Sequence, residues 1–186
     1  CKIEIDILGQ PIGRQDQYAA AFGGANSFSF NSQGVNVESI TVPCESKIRE
    51  EFTLVFTGLS RSASEVLKET PEDSYDKLSR LRRIRSQADV AEEYLNSCNL
   101  DELGILIGEA WNEKRGIPAS VSRAEIDSLH EEIMSMGASG AKLLGAGGGG
   151  FFLVHGEPSL QEKLKLLKAK NRIIPLGMDT KGSTII

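Results

Sequence analysis

Five of the six residues from Gly145 to Gly150 are glycine, the exception being Ala146. An apolar run ends at Leu144 and another begins at Phe151. The flanks read as two short buried strands. Glycine loses more freedom than any other residue when it is ordered, so five together are a poor choice for plain structure. Backbone N–H groups that cradle an anion, often a phosphate, are the usual compensation. A tight hairpin that lets two layers pack closely is the other reading. The loop is not a nucleotide P-loop, because Phe151 stands where a lysine and a hydroxyl residue belong. A dinucleotide turn is excluded as well, since strand rather than helix follows.

Two further segments could do chemistry. Asp16, within Gly13-Arg14-Gln15-Asp16-Gln17, falls at the start of a short predicted helix. An acid there favours the helix dipole. It could equally sit beside a substrate hydroxyl and accept its proton, with Arg14 keeping it ionised. Thr57-Gly-Leu-Ser-Arg-Ser-Ala-Ser64 sets hydroxyls and Arg61 at a strand-to-helix junction, where free N–H groups suit an anion. An N-cap beside a surface arginine is the plainer alternative.

Several elements must hold these residues. The pattern predicts a helix from Gln15 to Phe22, strands at Asn26–Phe30 and Val35–Val42, and a turn at Asn31–Gly34. A buried strand follows at Phe52–Phe56, with a helix from about Ser62. Tyr75, Leu78, Leu81, Ile84, Ala88, Ala91 and Leu95 recur as in a long amphipathic helix. Leu100, Leu103, Ile107, Ala110, Trp111 and Lys114 trace a second. A third spans Ser122 to Met136, with Ser122 and Glu125 spaced as a capping box. Strands at Lys142 and Phe151 bracket the glycines, and Pro158 opens a charged helix to about Lys170. Ile173–Leu176 and Ser183–Ile186 close the chain as strands. The order from Phe52 onward fits an α+β, ferredoxin-like split βαβ layer with extra helices. Trp111, Met134 and Met136 read as core, His155 shows no partner, and the basic run Lys77 to Arg85 reads as a solvated face.

The 186 residues suffice for one large or two small domains, with 40% hydrophobic and 25% charged residues. A net charge of −5 argues against a general nucleic-acid binder and leaves room for a phosphorylated small molecule. Cys1, Cys44 and Cys98 are far apart and His130 and His155 are isolated, so no metal site is expected. A reduced, cytoplasmic protein with no membrane contact follows as the simplest expectation. Cys1 at the first position reads as a fragment boundary rather than a lipid anchor.

Taken together, the segments Gly13–Gly24, Thr57–Ser64 and Gly140–Phe151 resemble the GHMP kinases, and within them sugar kinases acting on heptose 7-phosphate. Leu103–Lys114 and Gly182–Ile186 share the likeness. The resemblance implies phosphoryl transfer from ATP, with Mg²⁺, to a hydroxyl of a sugar or sugar phosphate; the C1 hydroxyl of D-glycero-D-manno-heptose 7-phosphate is preferred. Asp16 takes the place of the catalytic aspartate, with Arg14 and Gln17 beside it as substrate-binding residues. Gly145, Ala146, Gly147, Gly148, Gly149 and Gly150 match the loop beside the nucleotide phosphates. Arg61, Ser62 and Ser64 would lie near the sugar or its phosphate. No metal ligand is assigned. The loop that wraps the ATP phosphates has no counterpart here. The resemblance therefore implies a remnant of a ribosomal protein S5 domain 2-like ATP-binding domain at 1–46 and the GHMP C-terminal domain at 47–186. The missing N-terminal half of the same protein would be the partner, and this piece alone would be inactive. Other acceptors (fucose, galactose or mannose type) and a non-catalytic sugar-phosphate-binding lobe stand as alternatives.

Overall fold

The computed structural model describes residues 1–10, 12–60, 74–117, 123–168 and 171–184. A π-helical turn at Lys2–Ile7 precedes α1 (Gln15–Phe22) and the antiparallel hairpin β1 (Ala25–Asn31) and β2 (Gly34–Ile40). The Asn31 side chain closes the hairpin by accepting from the N–H groups of Gln33 at 2.8 Å and Gly34 at 3.1 Å. Phe28 and Phe30 share one face of β1 by the two-residue period of a strand. Both meet Tyr18 edge-on, which fastens α1 to the hairpin.

Then come α2 (Glu45–Glu51), β3 (Phe52–Phe56), α3 (Tyr75–Ser97), α4 (Leu100–Arg115), α5 (Ala124–Ser135), β4 (Gly140–Leu143), β5 (Phe151–His155), α6 (Leu160–Leu164) and β6 (Ile173–Pro175). The four strands form one antiparallel sheet in the order β4-β5-β3-β6. Its two faces follow from alternation along each strand. Val55, Ala141, Leu143, Phe152 and Val154 meet Ile126, Leu129 and Ile133 of α5 and Leu160 and Leu164 of α6. Phe52 and Leu153 on the other face meet Ile48, Leu100, Leu103 and partly buried residues of α3. Trp111 is fully buried against Phe152, as its place on the apolar stripe predicts.

α4 lies directly on β4 because small residues face each other. A Cβ on Gly140 would collide with the Gly104 carbonyl, and one on Gly108 would come within 3.4 Å of Gly140. Arg80 and Arg83 of α3 pair with Glu113 of α4, so part of the basic run joins two helices instead of facing solvent alone.

Three elements differ from the pattern. The charged helix stops at Leu164, after which turns carry Leu167 into the core. Residues 183 and 184 are not strand; the Ser183 N–H and hydroxyl donate to Ala21 and Ala20 carbonyls at 3.2 Å each, closing the end of α1. Cys44 and Cys98 form a disulfide with Cα atoms 5.9 Å apart, where independent thiols were expected. The hairpin returns the chain to the end of α3, and Cys44 borders the Leu100–Leu103 cluster. The predicted helix from Ser62 and the Ser122 capping box lie outside the described residues.

Candidate functional site

The glycine loop joins β4 to β5 at one end of the sheet, and its ends are fixed by hydrogen bonds. Leu144 N–H donates to Phe151 O at 2.9 Å, and Gly150 N–H to Leu59 O at 2.9 Å. Thr57 is buried and its N–H donates to Gly150 O at 2.9 Å; its hydroxyl lies 3.0 Å from the same carbonyl. Two segments singled out from sequence, Thr57–Leu59 and the glycines, are therefore one unit across 93 residues of chain. All five glycines have positive φ. The need for glycine is plainest at Gly149, where a Cβ would stand 2.8 Å from the Leu59 carbonyl oxygen.

Gly147, Gly148 and Gly149 are buried, yet the N–H groups of residues 145–149 make no hydrogen bond among the described residues. Buried backbone donors are almost always paired. A run of them left open suits an anion such as a phosphate.

Lys114 of α4 braces the loop from behind. Its ammonium donates to Leu143 O at 3.3 Å and to Gly145 O. Burial, with the Lys142 charge adding to it, pushes Lys114 down to about 8 from the usual 10.5. Burial also lowers Lys142. Neither lysine was singled out as a site residue from sequence. The available signal was their setting: Lys114 continues an apolar helical stripe, and Lys142 interrupts an apolar strand.

Asp16 lies exposed in the first turn of α1. It makes no ion pair with Arg14, the N-cap residue, and no hydrogen bond with residues 145–150 among the described residues. Gln17 donates to Glu4 at 2.7 Å, and its Oε1 is buried without a partner. The C-terminal segment grips the far end of α1: Gly24 N–H donates to Asp179 O, and a Cβ on Gly23 would strike Gly182. Arg61, Ser62 and Ser64 lie outside the described residues. A hollow of about 340 Å³ beside the loop is lined by Thr57, Ser128, Glu132, Lys168 and Asn171, and contains neither Asp16 nor a loop glycine.

His155 has partners that sequence did not reveal. Its Nδ1 is 2.5 Å from Ser139 Oγ and its Nε2 is 3.5 Å from Glu51 Oε2. It is 1% exposed and pairs with Gly140, at the end of the sheet away from the glycine loop. Gly104 packs onto its ring, so this trio ties α2 to the sheet and leaves no room for a substrate. Among the described residues no group of three His, Cys, Asp or Glu side chains could hold a metal ion, and no helix is long and apolar enough to cross a membrane.

The family described as GHMP kinases C terminal matches residues 91–169. A D-glycero-alpha-D-manno-heptose 7-phosphate kinase of Campylobacter jejuni is 31% identical over 173 residues, covering 90% of this chain and 50% of the relative. A bifunctional fucokinase/GDP-fucose pyrophosphorylase of Arabidopsis thaliana is 29% identical, covering 88% of this chain and 16% of that protein. The crystal structure of a heptose 1-phosphate kinase from Bacteroides thetaiotaomicron superposes with a TM-score of 0.70 at 24% identity, over 97% of this chain and 51% of that one. This last likeness bears on the fold. The chain spans about half the length of the Campylobacter relative.

Proposed function

We propose, from the premise that this chain belongs to the GHMP kinase family and carries its C-terminal domain, that it serves ATP-dependent phosphorylation of a sugar or sugar-phosphate hydroxyl. The preferred acceptor is the C1 hydroxyl of D-glycero-D-manno-heptose 7-phosphate, in line with what the Campylobacter relative is named for. The observation that carries the reading is the run of open N–H groups at 145–149, buried at Gly147–Gly149 and clasped by Thr57 and Leu59. The activity belongs to a complete kinase in which an ATP-binding half accompanies this one, and this chain without that half is inactive. A cytoplasmic setting is part of the same proposal.

ATP, when bound, supplies the γ-phosphoryl group, and Mg²⁺ offsets charge on its phosphates. The chain's residues position and stabilise, which is most of what phosphoryl transfer requires. The loop amides hold phosphate oxygens. Asp16 takes the proton from the acceptor hydroxyl as its oxygen bonds to phosphorus and the bond to the departing ADP oxygen breaks. Arg14, Gln17, Arg61, Ser62 and Ser64 are assigned to the sugar and its phosphate. The described residues offer no three-ligand cage, so no step is assigned to the ion. In the same proposal, residues 47–186 form a ferredoxin-like domain, supported by the strand order β4-β5-β3-β6 with helical crossovers. Residues 1–46 complete an S5-like ATP-binding domain.

The test is ADP release by the complete kinase with heptose 7-phosphate, fucose, galactose and mannose offered in turn. Heptose 7-phosphate should give the highest kcat/KM. A neutral sugar that surpasses it would replace the acceptor, and no release with any sugar would end the kinase reading.

A further inference from the structure

Two half-buried lysines, Lys114 and Lys142, stand at the base of the glycine loop, and neither pairs with a carboxylate among the described residues. Lys114 reaches from α4 to the carbonyls of Leu143 and Gly145. Lys142, on β4, is half-buried, and its ammonium makes no hydrogen bond or ion pair among the described residues. The Lys142 charge is felt at Lys114. The nearest carboxylate along α4, Glu113, is already held by Arg80 at 3.3 Å and Arg83 at 2.9 Å. Burying two like charges is unfavourable unless something negative joins them. The open N–H groups of 145–149, which follow Lys142 in the chain and whose first carbonyl Lys114 holds, call for the same kind of ligand.

We propose that Lys142 and Lys114 complete the glycine loop as a phosphate site, Lys142 meeting a phosphate group of the ligand and Lys114 holding the loop in the shape that receives it. Lys142 is thus a binding residue and Lys114 a positioning residue. This rests on the kinase reading, and its ligand is the phosphate of either the nucleotide or the acceptor. The ammonium is the compact point charge that meets phosphate without demanding the planar geometry of a guanidinium. Lys114 spends donors on the carbonyls of Leu143 and Gly145, which fixes the loop where it leaves β4.

The test follows the amide signals of the full chain labelled with ¹⁵N-glycine during titration with inorganic tripolyphosphate, ADP and heptose 7-phosphate. The neutral heptose serves as a control. Signals of Gly145 and Gly147–Gly150 should move with the phosphate-bearing probes, and the probe that moves them at lowest concentration identifies the source of the phosphate. Lys142→Gln should weaken that probe at least about tenfold, and Lys142→Arg should retain more of the affinity. Lys114→Met should shift the loop signals of the free protein as well. A second readout needs no variant: the titration midpoints of ¹³C-labelled Lys114 and Lys142 side chains should rise when the probe is added. Loop signals that respond while Lys142→Gln binds as well as wild type, or midpoints that stay put, would overturn the lysine assignment and leave the loop as a phosphate cradle. No response of the loop to any probe would overturn both.

Discussion

At the scale of single residues, the two ends of the glycine loop are held differently and fail differently. Gly149 touches Leu59 backbone, so Gly149→Ala has no room on that side and keeps an unfavourable φ of +159°. The loop should be destabilised by about 1–3 kcal/mol, read as a lower urea midpoint together with lost phosphate response. Lys114 acts through charge. Its folded pKa, about 8, lies below the usual 10.5, so between those values the unfolded chain binds more protons and stability rises with pH. The contribution is at most about 3 kcal/mol. Urea midpoints measured from pH 7.5 to 10.5 should climb more steeply for wild type than for Lys114→Met, and equal slopes would contradict a buried, uncompensated ammonium. Bound phosphate should flatten the difference, because an anion raises the lysine again.

At the scale of elements, the helices and strands around the loop were readable because their patterns are strong. α1 was expected at Gln15–Phe22 and is found there, and the Tyr75–Leu95 and Leu100–Lys114 periodicities mark α3 and α4 to within two residues. What stayed hidden depends on contacts between distant segments. Ser139 and Glu51 reach His155 from 16 and 104 residues away, and nothing local to His155 announces them. The same holds for Ser183, whose apolar neighbours suggest a strand although its backbone and hydroxyl cap α1. Cys44 and Cys98 are 54 residues apart, and only the fold shows that α3 returns to the hairpin. Closing a loop of that length restricts the unfolded chain by about 4 kcal/mol. Reduction with dithiothreitol should lower the urea midpoint accordingly, and an unchanged midpoint would mean the pair contributes nothing. The α4–β4 contact makes a sharper claim. Gly140→Val would push the strand off the Gly104 carbonyl at a cost of about 1–3 kcal/mol and loosen the base of the loop, visible as altered glycine amide signals.

For the whole molecule, the proposed chemistry needs a loop, a clasp and an acid that lie far apart in the chain. The structure brings the first two together through Thr57 and Gly150, and fastens α1 to the C-terminal segment through Gly24, Ser183 and Asp179. Asp16 is exposed, and no hydrogen bond or ion pair holds its carboxylate among the described residues. Its placement against the acceptor is the claim on which the proposed chemistry turns. The direct measurement is ³¹P-monitored phosphoryl transfer from ATP to heptose 7-phosphate by the complete kinase and its Asp16→Asn variant. The account predicts a new phosphate ester with wild type. For the variant it predicts a kcat lower by about 10²–10⁴-fold, with KM changed little. Turnover at the wild-type rate by the variant, with its fold intact, would contradict it.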